Sequence, residues 1–195
     1  MSFRFEFGDA SLFNGDGRRK YLAPSETRRW LKIAKQADPA TRLFCLLLYY
    51  TGCRVSEGLA LTPGLIDLET NRVAFRTLKR RKCVYRAVPV PAPFLRELRL
   101  LANHRKSHER IFRWSRTTAW RRIKALMARA GVAGPQATMR GLRHRFGVHA
   151  ITSGVGEDLL RRMLGHAPNS KSTRIYLNAM GDEERAIIRR MWKAE

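Results

Sequence analysis

Four short segments of the chain contain cationic side chains and a tyrosine whose types suit phosphate chemistry. They are TGCRVSE with Arg54, TLKRRK with Lys79, MRGLRH with Arg140 and Arg143, and LGHAPNS followed by RIY, with His166 and Tyr176. Arginine keeps its charge in any protein environment and binds phosphate through paired N–H groups. Several arginines that converge on one point are typical of sites that stabilise a phosphoryl transition state.

The spacing of these residues strengthens that interpretation. Arg140 and Arg143 lie on one face of a predicted helix with Cβ atoms about 5–6 Å apart, so their charges repel unless an anion lies between them. Arg54 directly follows an apolar helix, where a charge must be paired or must face a ligand. Glu57, one turn later, could be its partner. The sequence shows no carboxylate cluster, which argues against a two-metal nuclease.

Tyr176 has two possible interpretations, a packed aromatic or a nucleophile. Free tyrosine has a pKa of about 10, so it needs a cationic pocket or a base to attack at neutral pH. Alone it would be assigned to packing. Together with Arg54, Arg143 and His166 it is predicted to be the nucleophile.

The composition indicates an anionic partner. The 195 residues include 39 Lys and Arg against 16 Asp and Glu, a formal charge of +23. Nucleic acid explains this excess best, since no apolar run is long enough for a membrane span and no interfacial helix is evident. The three cysteines match no zinc pattern, so no metal is predicted and a reduced, cytoplasmic chain is expected.

Two basic surfaces are predicted to contact DNA. Six cationic residues and no acid lie between Arg76 and Arg86, most of them at a hairpin tip, and the helix TTAWRRIKALMARAG has a basic face opposite an apolar stripe that includes Trp120. Such faces typically bind the DNA backbone. The residues assigned to DNA contact are Arg76, Arg80, Arg81, Lys82, Arg86, Arg116, Arg121 and Arg122.

The elements that must position these residues are mainly helical. Helices are predicted for ETRRWLKIAKQA, for the buried ATRLFCLLLYY, for the short VSEGLAL, for FLRELRLLANH and for TTAWRRIKALMARAG. MRGLRHRFGVHAIT, EDLLRRMLGH and DEERAIIRRMW complete the helical set. Period-two patterns in LIDLETNRVAF and CVYRAVPVP predict three antiparallel strands. The fold class is therefore α+β, mainly helical, with a small three-stranded antiparallel sheet.

The order of these motifs resembles the catalytic domain of the tyrosine recombinases, the phage integrase family. TGCRVSEGLAL, a lysine on a strand hairpin, GLRHRFGVHA, LGH and a tyrosine ten residues after that histidine occur in the family's order, from about Tyr21 to Trp192. The combination is a specific signal, although each piece alone is weak. Residues 21–195 are thus predicted to form this domain, and residues 1–20 a flexible arm.

The resemblance implies roles for the residues. Tyr176 would form a 3′-phosphotyrosyl bond, Lys79 would protonate the leaving 5′-oxygen, and Arg54 and Arg143 would bind the nonbridging oxygens. Lys82 also lies on the basic tip and is the alternative acid, but the family places this lysine on the incoming side of the turn, which favours Lys79. His166 would donate a hydrogen bond or assist proton transfer, while Glu57 would orient Arg54. Neither ATP nor a metal cofactor would be needed. The implied partners are double-stranded DNA, further subunits in a dimer or tetramer, and accessory DNA-bending proteins, all in the cytoplasm at the nucleoid.

One departure from the family is at position 140. The family usually has histidine three residues before its second arginine, whereas this chain has Arg140, which can bind phosphate but cannot transfer a proton. Either Arg140 takes over a phosphate contact and leaves proton transfer to Lys79 and His166, or activity is reduced. His144, next to Arg143, is expected to have a structural or supporting role.

A second departure concerns the layout of the chain. About 20 residues precede the catalytic domain, so no core-binding domain is expected, and the sequence fits a minimal recombinase or a catalytic fragment. Three functions remain open: a site-specific recombinase for integration, excision or inversion; a type IB topoisomerase with similar chemistry; and a DNA-binding accessory protein with reduced or lost catalysis, which the Arg140 substitution alone supports.

Overall fold

The structure, a computed structural model, describes residues 12–79, 82–167, 172–177 and 189. Seven helices lie in these ranges: α1 (Pro24–Lys35), α2 (Pro39–Thr51), α3 (Val55–Leu59), α4 (Ala92–Leu101), α5 (Arg116–Arg129), α6 (Met139–Thr152) and α7 (Glu157–Leu164). Single 3₁₀ turns span Pro63–Leu65 and Arg174–Tyr176. Of the predicted helix DEERAIIRRMW, only Arg189 belongs to the described residues, and it is helical.

The helices begin at the residues that the sequence marks as caps. The Asp38 carboxylate accepts a hydrogen bond from Thr41 N at the start of α2, and the Thr138 hydroxyl accepts one from Gly141 N at the start of α6. Such caps satisfy backbone N–H groups that have no partner inside the helix. Helix α2 is buried along most of its length, as its continuous apolar sequence predicts.

A small antiparallel sheet has the strand order β1 (Ile66–Asp67), β2 (Arg72–Lys79), β3 (Lys82–Pro89). Strands β2 and β3 form a hairpin whose register pairs Val73 with Val88 and Lys79 with Lys82. Val73, Phe75 and Val88 are buried against the helices. The predicted α+β fold with three antiparallel strands is therefore confirmed, although β1 is only two residues long.

Residues 12–20, assigned from the sequence to the arm, pack against the domain. Leu12 is 2% exposed and joins a cluster with Tyr21, Phe146 and Leu164. A bridge between Phe13 and Arg19 closes this segment into a turn. The apolar residues of the turn explain the difference, because Leu12 and Phe13 pack into this cluster with residues of α6 and α7.

The apolar stripe predicted on α5 is only partly correct. Ile123, Leu126 and Met127 are buried, but Trp120 is 48% exposed. Trp120 precedes Ile123 by three residues and lies beyond the edge of the contact with the core. Within the described ranges, no helix combines the length and apolarity that a membrane crossing requires.

Candidate active site

Arg143 is fixed at the point where three helices meet. Its Nη1 donates to Gly52 O at 2.8 Å and its Nη2 to Leu164 O at 2.7 Å. Gly52 ends α2 in the left-handed conformation with φ of 58°, which glycine adopts without strain. Leu164 is the last residue of α7. Burial and the charge of Arg54 lower the pKa of Arg143 to about 10, so the guanidinium remains charged at neutral pH.

Arg54 and Arg86 share one carboxylate, that of Glu57. Arg54 Nη1 lies 3.0 Å from Glu57 Oε1, and Arg86 donates to both oxygens, at 3.0 and 2.6 Å. Glu57 Oε2 also accepts from Arg54 N at 2.8 Å, which fixes the start of α3. The Arg86 guanidinium lies over the Phe75 ring and donates from Nε to Met163 O at 2.8 Å. Sheet, α3 and α7 are thereby joined beneath the Arg54 side chain.

The Glu57 carboxylate stays ionised in this cluster. Burial alone would raise its pKa, but the hydrogen bonds and charges of Arg86 and Arg54 lower it to about 2. An ionised carboxylate in contact with two guanidinium groups holds Arg54 in place while leaving part of that side chain, 44% exposed, open to a ligand.

Two chains of hydrogen bonds run from the α6 arginines to the segment that contains Tyr176. In the first, which we call the tyrosine relay, Arg140 Nε donates to His144 Nε2 at 3.2 Å, and His144 Nδ1 lies 3.1 Å from Tyr176 Oη. An arginine nitrogen can only donate, so His144 Nε2 accepts and its proton is on Nδ1. The tyrosine oxygen therefore accepts a hydrogen bond from His144.

The second chain, the threonine relay, consists of Arg143, His166 and Thr173. Arg143 Nη2 lies 3.0 Å from His166 Nε2, and His166 Nδ1 lies 2.8 Å from Thr173 Oγ1. By the same reasoning, Nε2 accepts from the guanidinium and Nδ1 donates to the threonine hydroxyl. Two arginines one turn apart thus reach two hydroxyls on one 3₁₀ turn.

Tyr176 is 1% exposed and ends the 3₁₀ turn Arg174–Tyr176. Its N–H donates to Thr173 O at 3.0 Å, which sets the spacing between the two hydroxyl-bearing side chains. The ring lies directly against α6 at Gly147, where a Cβ atom would come within 2.5 Å of Cε1 and Cζ. Burial raises the pKa of Tyr176, although the charges of Arg143, Arg140 and Arg54 act in the opposite direction.

The structure brings together most of the residues predicted to be catalytic. Arg54, Arg140, Arg143, His166 and Tyr176 lie around the ends of α2, α6 and α7, with Glu57 beneath Arg54. Lys79 is the last residue of β2, and its backbone pairs with Lys82 across the hairpin. The side chains of these two lysines lie outside what the structure describes, and so do the whole residues Arg80 and Arg81. In the part of the chain that is described, no three His, Cys, Asp or Glu residues form a group that could hold a metal ion.

The residues assigned to DNA contact differ in their environments. Arg76, Arg116 and Arg121 are exposed. Arg86 is not at the hairpin surface: its side chain is 9% exposed and pairs with Glu57. Arg122 binds Asp38 at 3.0 Å and Thr41 Oγ1 at 2.6 Å, and its guanidinium covers the ring of Trp114.

Strand periodicity explains the position of Arg86. It precedes Val88 by two residues and lies opposite Phe75, so it belongs to the inward face of β3. Arg86 therefore does not belong to the basic tip that the sequence predicted.

Two residues of the site were not singled out as catalytic from the sequence, His144 and Thr173. His144 follows Arg140 by four residues, a spacing that places both side chains on one helix face and could have indicated their contact. Thr173 is completely buried three residues before Tyr176. No sequence pattern considered above indicated its contact with His166.

Comparison with known proteins identifies the class to which this fold and site belong. The profile of the phage integrase family matches residues 20–182, and the chain belongs to that family. Tyrosine recombinase XerA of Pyrococcus furiosus is 29% identical over 184 residues, which are 88% of this chain and 61% of that protein. The chain thus spans less than two thirds of the length of this relative.

Solved structures give the same fold. The crystal structure of XerA recombinase superposes with a TM-score of 0.69 at 26% identity, covering 89% of this chain and 62% of that one. The catalytic domain of bacteriophage HP1 integrase superposes with a TM-score of 0.64 at 22% identity, covering 86% of this chain and 93% of that domain. The described architecture is therefore that of a tyrosine-recombinase catalytic domain.

Proposed function

We propose that the chain is a site-specific DNA recombinase that cuts and rejoins double-stranded DNA through a 3′-phosphotyrosyl intermediate. The observation that supports this most directly is the pair of relays, which join two α6 arginines to the turn that contains Tyr176. A phosphate that reached these arginines would lie close to the tyrosine oxygen. Membership in the phage integrase family supports the same chemistry.

In this proposal, Arg54 and Arg143 bind the nonbridging oxygens of the scissile phosphate. Both guanidinium groups are held by hydrogen bonds, that of Arg54 to Glu57 and that of Arg143 to two backbone carbonyls. They are therefore preorganised before the substrate arrives. Groups fixed in advance stabilise developing charge without a reorganisation cost during the reaction. Arg140 supplies a third cationic group on the same side.

The chemical step then exchanges one ester for another. Tyr176 Oη attacks phosphorus, the bond from phosphorus to the 5′-oxygen breaks, and Lys79 protonates that oxygen. His166 donates a hydrogen bond to the phosphate once its Nε2 carries a proton. Because the phosphotyrosine conserves the energy of the original bond, the free 5′-hydroxyl of a second strand can reverse the step.

The DNA backbone is proposed to follow the exposed arginines of the basic surfaces. Arg76 lies on β2 near Arg54, and Arg116 and Arg121 lie on α5, while Arg80, Arg81 and Lys82 belong to the hairpin tip. The charge of +23 favours such contacts through counterion release. The protein is further proposed to assemble as a dimer or tetramer on DNA, together with accessory DNA-bending proteins. This assembly would take place at the nucleoid in the cytoplasm.

The deciding experiment captures the covalent intermediate. The protein is incubated with fragments of its own genomic neighbourhood, covalently attached DNA is recovered under denaturing conditions, and the attachment sites are mapped. Nicked suicide duplexes built from a mapped site should then accumulate an adduct, and Tyr176→Phe should form none. A wild-type protein that binds DNA but never forms an adduct would show the accessory-protein alternative to be correct.

A second measurement separates the two enzymatic alternatives. Plasmids with two mapped sites should yield products of strand exchange. The relative orientation of the two sites decides whether the product is an excision or an inversion. Relaxation of a supercoiled plasmid that lacks the site, without strand exchange, would instead identify a topoisomerase.

A further inference from the structure

Position 140 leaves the proposed reaction without an evident proton acceptor. The attacking hydroxyl must lose its proton, and an arginine at position 140 cannot take it. Lys79 is assigned to the leaving group, and His166 contacts Arg143 and Thr173. The question is which group receives the proton of Tyr176.

The side chain in contact with the hydroxyl is His144. Its Nδ1 lies 3.1 Å from Tyr176 Oη, and both side chains are buried. Across the described ranges, no other titratable side chain makes a hydrogen bond with this oxygen. A base must lie within about 2.6–3.2 Å of the proton's parent atom, and His144 meets this requirement.

The tautomer that the Arg140 contact implies holds the tyrosine in a resting state. Because Arg140 Nε donates to Nε2, the Nδ1 atom carries the hydrogen and donates it to Oη. In that arrangement Nδ1 has no free lone pair and cannot accept the proton. The lone pair becomes available on Nδ1 only if Nε2 is released from Arg140 and protonated instead.

We propose that His144 is a catalytic residue that accepts the proton of Tyr176, and that Arg140 controls this step by releasing His144 Nε2 when it binds the scissile phosphate. The inference rests on the proposed function, because it assumes attack by Tyr176 on a phosphodiester. It assigns to Arg140 and His144 together the task for which the family usually has a histidine at position 140.

Every proton that moves in the proposed step has a donor and an acceptor. When the Arg140 guanidinium moves to a phosphate oxygen, exchange through water moves the imidazole hydrogen from Nδ1 to Nε2, and Oη then donates to Nδ1. During attack the O–H bond of Tyr176 breaks, its proton passes to Nδ1 and the O–P bond forms. The P–O5′ bond breaks and the 5′-oxygen takes a proton from Lys79. Religation reverses both transfers.

The charges around the imidazole make proton acceptance by His144 depend on the bound phosphate. Burial and the charges of Arg140, Arg143 and Lys20 lower the pKa of His144 to about 4, so the ring is neutral at physiological pH. Arg140 and Arg143 lie on α6 itself, Lys20 precedes α1, and Tyr176 faces the ring from the 3₁₀ turn. A bound phosphate offsets the cationic charge, so the basicity of His144 rises when the substrate is in place.

The test uses His144→Asn in the full chain, with nicked suicide duplexes and single-turnover conditions. Asparagine can still donate a hydrogen bond to Oη but cannot accept its proton. Adduct formation should slow by roughly 10²-fold to 10⁴-fold, the usual contribution of a general base. DNA affinity and the thermal unfolding midpoint should stay close to wild type. His149→Asn, on the exposed side of the same helix, is the matched control and should cleave at the wild-type rate.

Two chemical substitutions distinguish proton acceptance from packing. Replacing Tyr176 by 3,5-difluorotyrosine, whose phenol is more acidic, should restore much of the activity of His144→Asn, since the nucleophile then ionises without a base. A 5′-phosphorothiolate at the scissile bond should restore cleavage by Lys79→Ala, because a thiolate leaves without a proton. It should not restore cleavage by His144→Asn.

Several results would overturn the proposal. They are wild-type cleavage by His144→Asn, a loss that fluorotyrosine does not relieve, or rescue of His144→Asn by the phosphorothiolate. If the asparagine variant loses its cooperative unfolding transition, His144→Gln provides the same comparison. Failure of wild-type protein to form any adduct would instead refute the proposed recombinase, so the two failures are distinguishable.

Discussion

The ring of Tyr176 packs against the α carbon of Gly147, so closely that a single added methyl group would come within 2.5 Å of Cε1 and Cζ. No other residue type at position 147 leaves room for the tyrosine in this place. The glycine therefore determines how near Oη approaches His144 and the α6 arginines. The nucleophile is positioned by the backbone of the helix that also presents the phosphate ligands.

Gly147→Ala should displace the tyrosine and slow covalent adduct formation at least 10-fold. Overpacking of this kind typically also costs about 1–3 kcal/mol of stability. Adduct formation on a suicide duplex and thermal unfolding measure the two effects. Gly156→Ala is the control, because its Cβ would meet no atom within 4 Å. Equal cleavage by both variants would contradict the assigned role of Gly147.

Glu57→Gln should destabilise the protein by about 3–5 kcal/mol, because it removes the negative charge that contacts the buried Arg86 guanidinium. It should also lower cleavage, since Arg54 loses its charged support. Urea unfolding at neutral pH measures the first effect. Glu97→Gln removes a more exposed ion pair with Arg42 and should cost less than about 1 kcal/mol. Similar losses in the two variants would refute the buried network.

Acid should weaken the fold partly through Glu57. Its folded pKa of about 2 lies below the ordinary value of 4.5, so its contribution is fully present above that value and is lost as the pH falls toward about 2. Comparing wild type with Glu57→Gln by urea unfolding at several pH values isolates this contribution. The stability difference between them should shrink on acidification across that window, and a constant difference would rule the effect out.

His144 should make the fold sensitive to pH in a higher range. Its folded pKa of about 4 lies below 6.5, so the unfolded chain takes up a proton that the folded chain does not. Stability is therefore highest above pH 6.5 and decreases as the pH falls to about 4, by on the order of 3 kcal/mol. The decrease should be smaller in His144→Asn. An identical slope in both proteins would mean that the imidazole is not buried as described.

Thr173→Val should loosen His166 while preserving the shape of the side chain. The hydroxyl accepts from His166 Nδ1, and valine cannot replace this hydrogen bond, whose loss typically costs about 0.5–1.5 kcal/mol. We expect slower adduct formation with nearly unchanged DNA affinity. Thr152→Val, which removes a hydroxyl bonded only to His149 O among the described residues, should leave the cleavage rate unaltered. A normal cleavage rate in Thr173→Val would exclude the threonine relay from the reaction.

Arg121 and Arg122 are adjacent and should behave differently. The Arg121 side chain is exposed and makes no hydrogen bond or ion pair in the described structure, so Arg121→Ala should lower DNA affinity and reduce the salt slope by about one. Arg122 ties α5 to Asp38 and Thr41, so Arg122→Ala should lower the unfolding midpoint. Binding isotherms over a range of salt, with thermal melts, check both. The reverse pattern would show that the two assignments should be exchanged.

Much of the site could be predicted from the sequence because its parts are local. The i and i+3 spacing of Arg140 and Arg143 on one helix, the glycine after α2 and the alternation of the strands are properties of a few neighbouring residues. Charge composition likewise indicated an anionic partner before any fold was known. Arg86 shows the limit of such local patterns. Its cationic neighbours at the hairpin tip suggested an exposed side chain, whereas its alternation with Val88 places it on the inward face of β3.

The sequence by itself determined the residue types, their order along the chain and the elements that present them. Only the tertiary structure decided which groups meet: His144 with Tyr176, 32 residues away, and Arg86 with Glu57, 29 residues away. Backbone geometry repeats over a few residues and is therefore visible in a local pattern. Contacts between distant residues depend on how helices and turns pack against one another, and no local spacing specifies that packing.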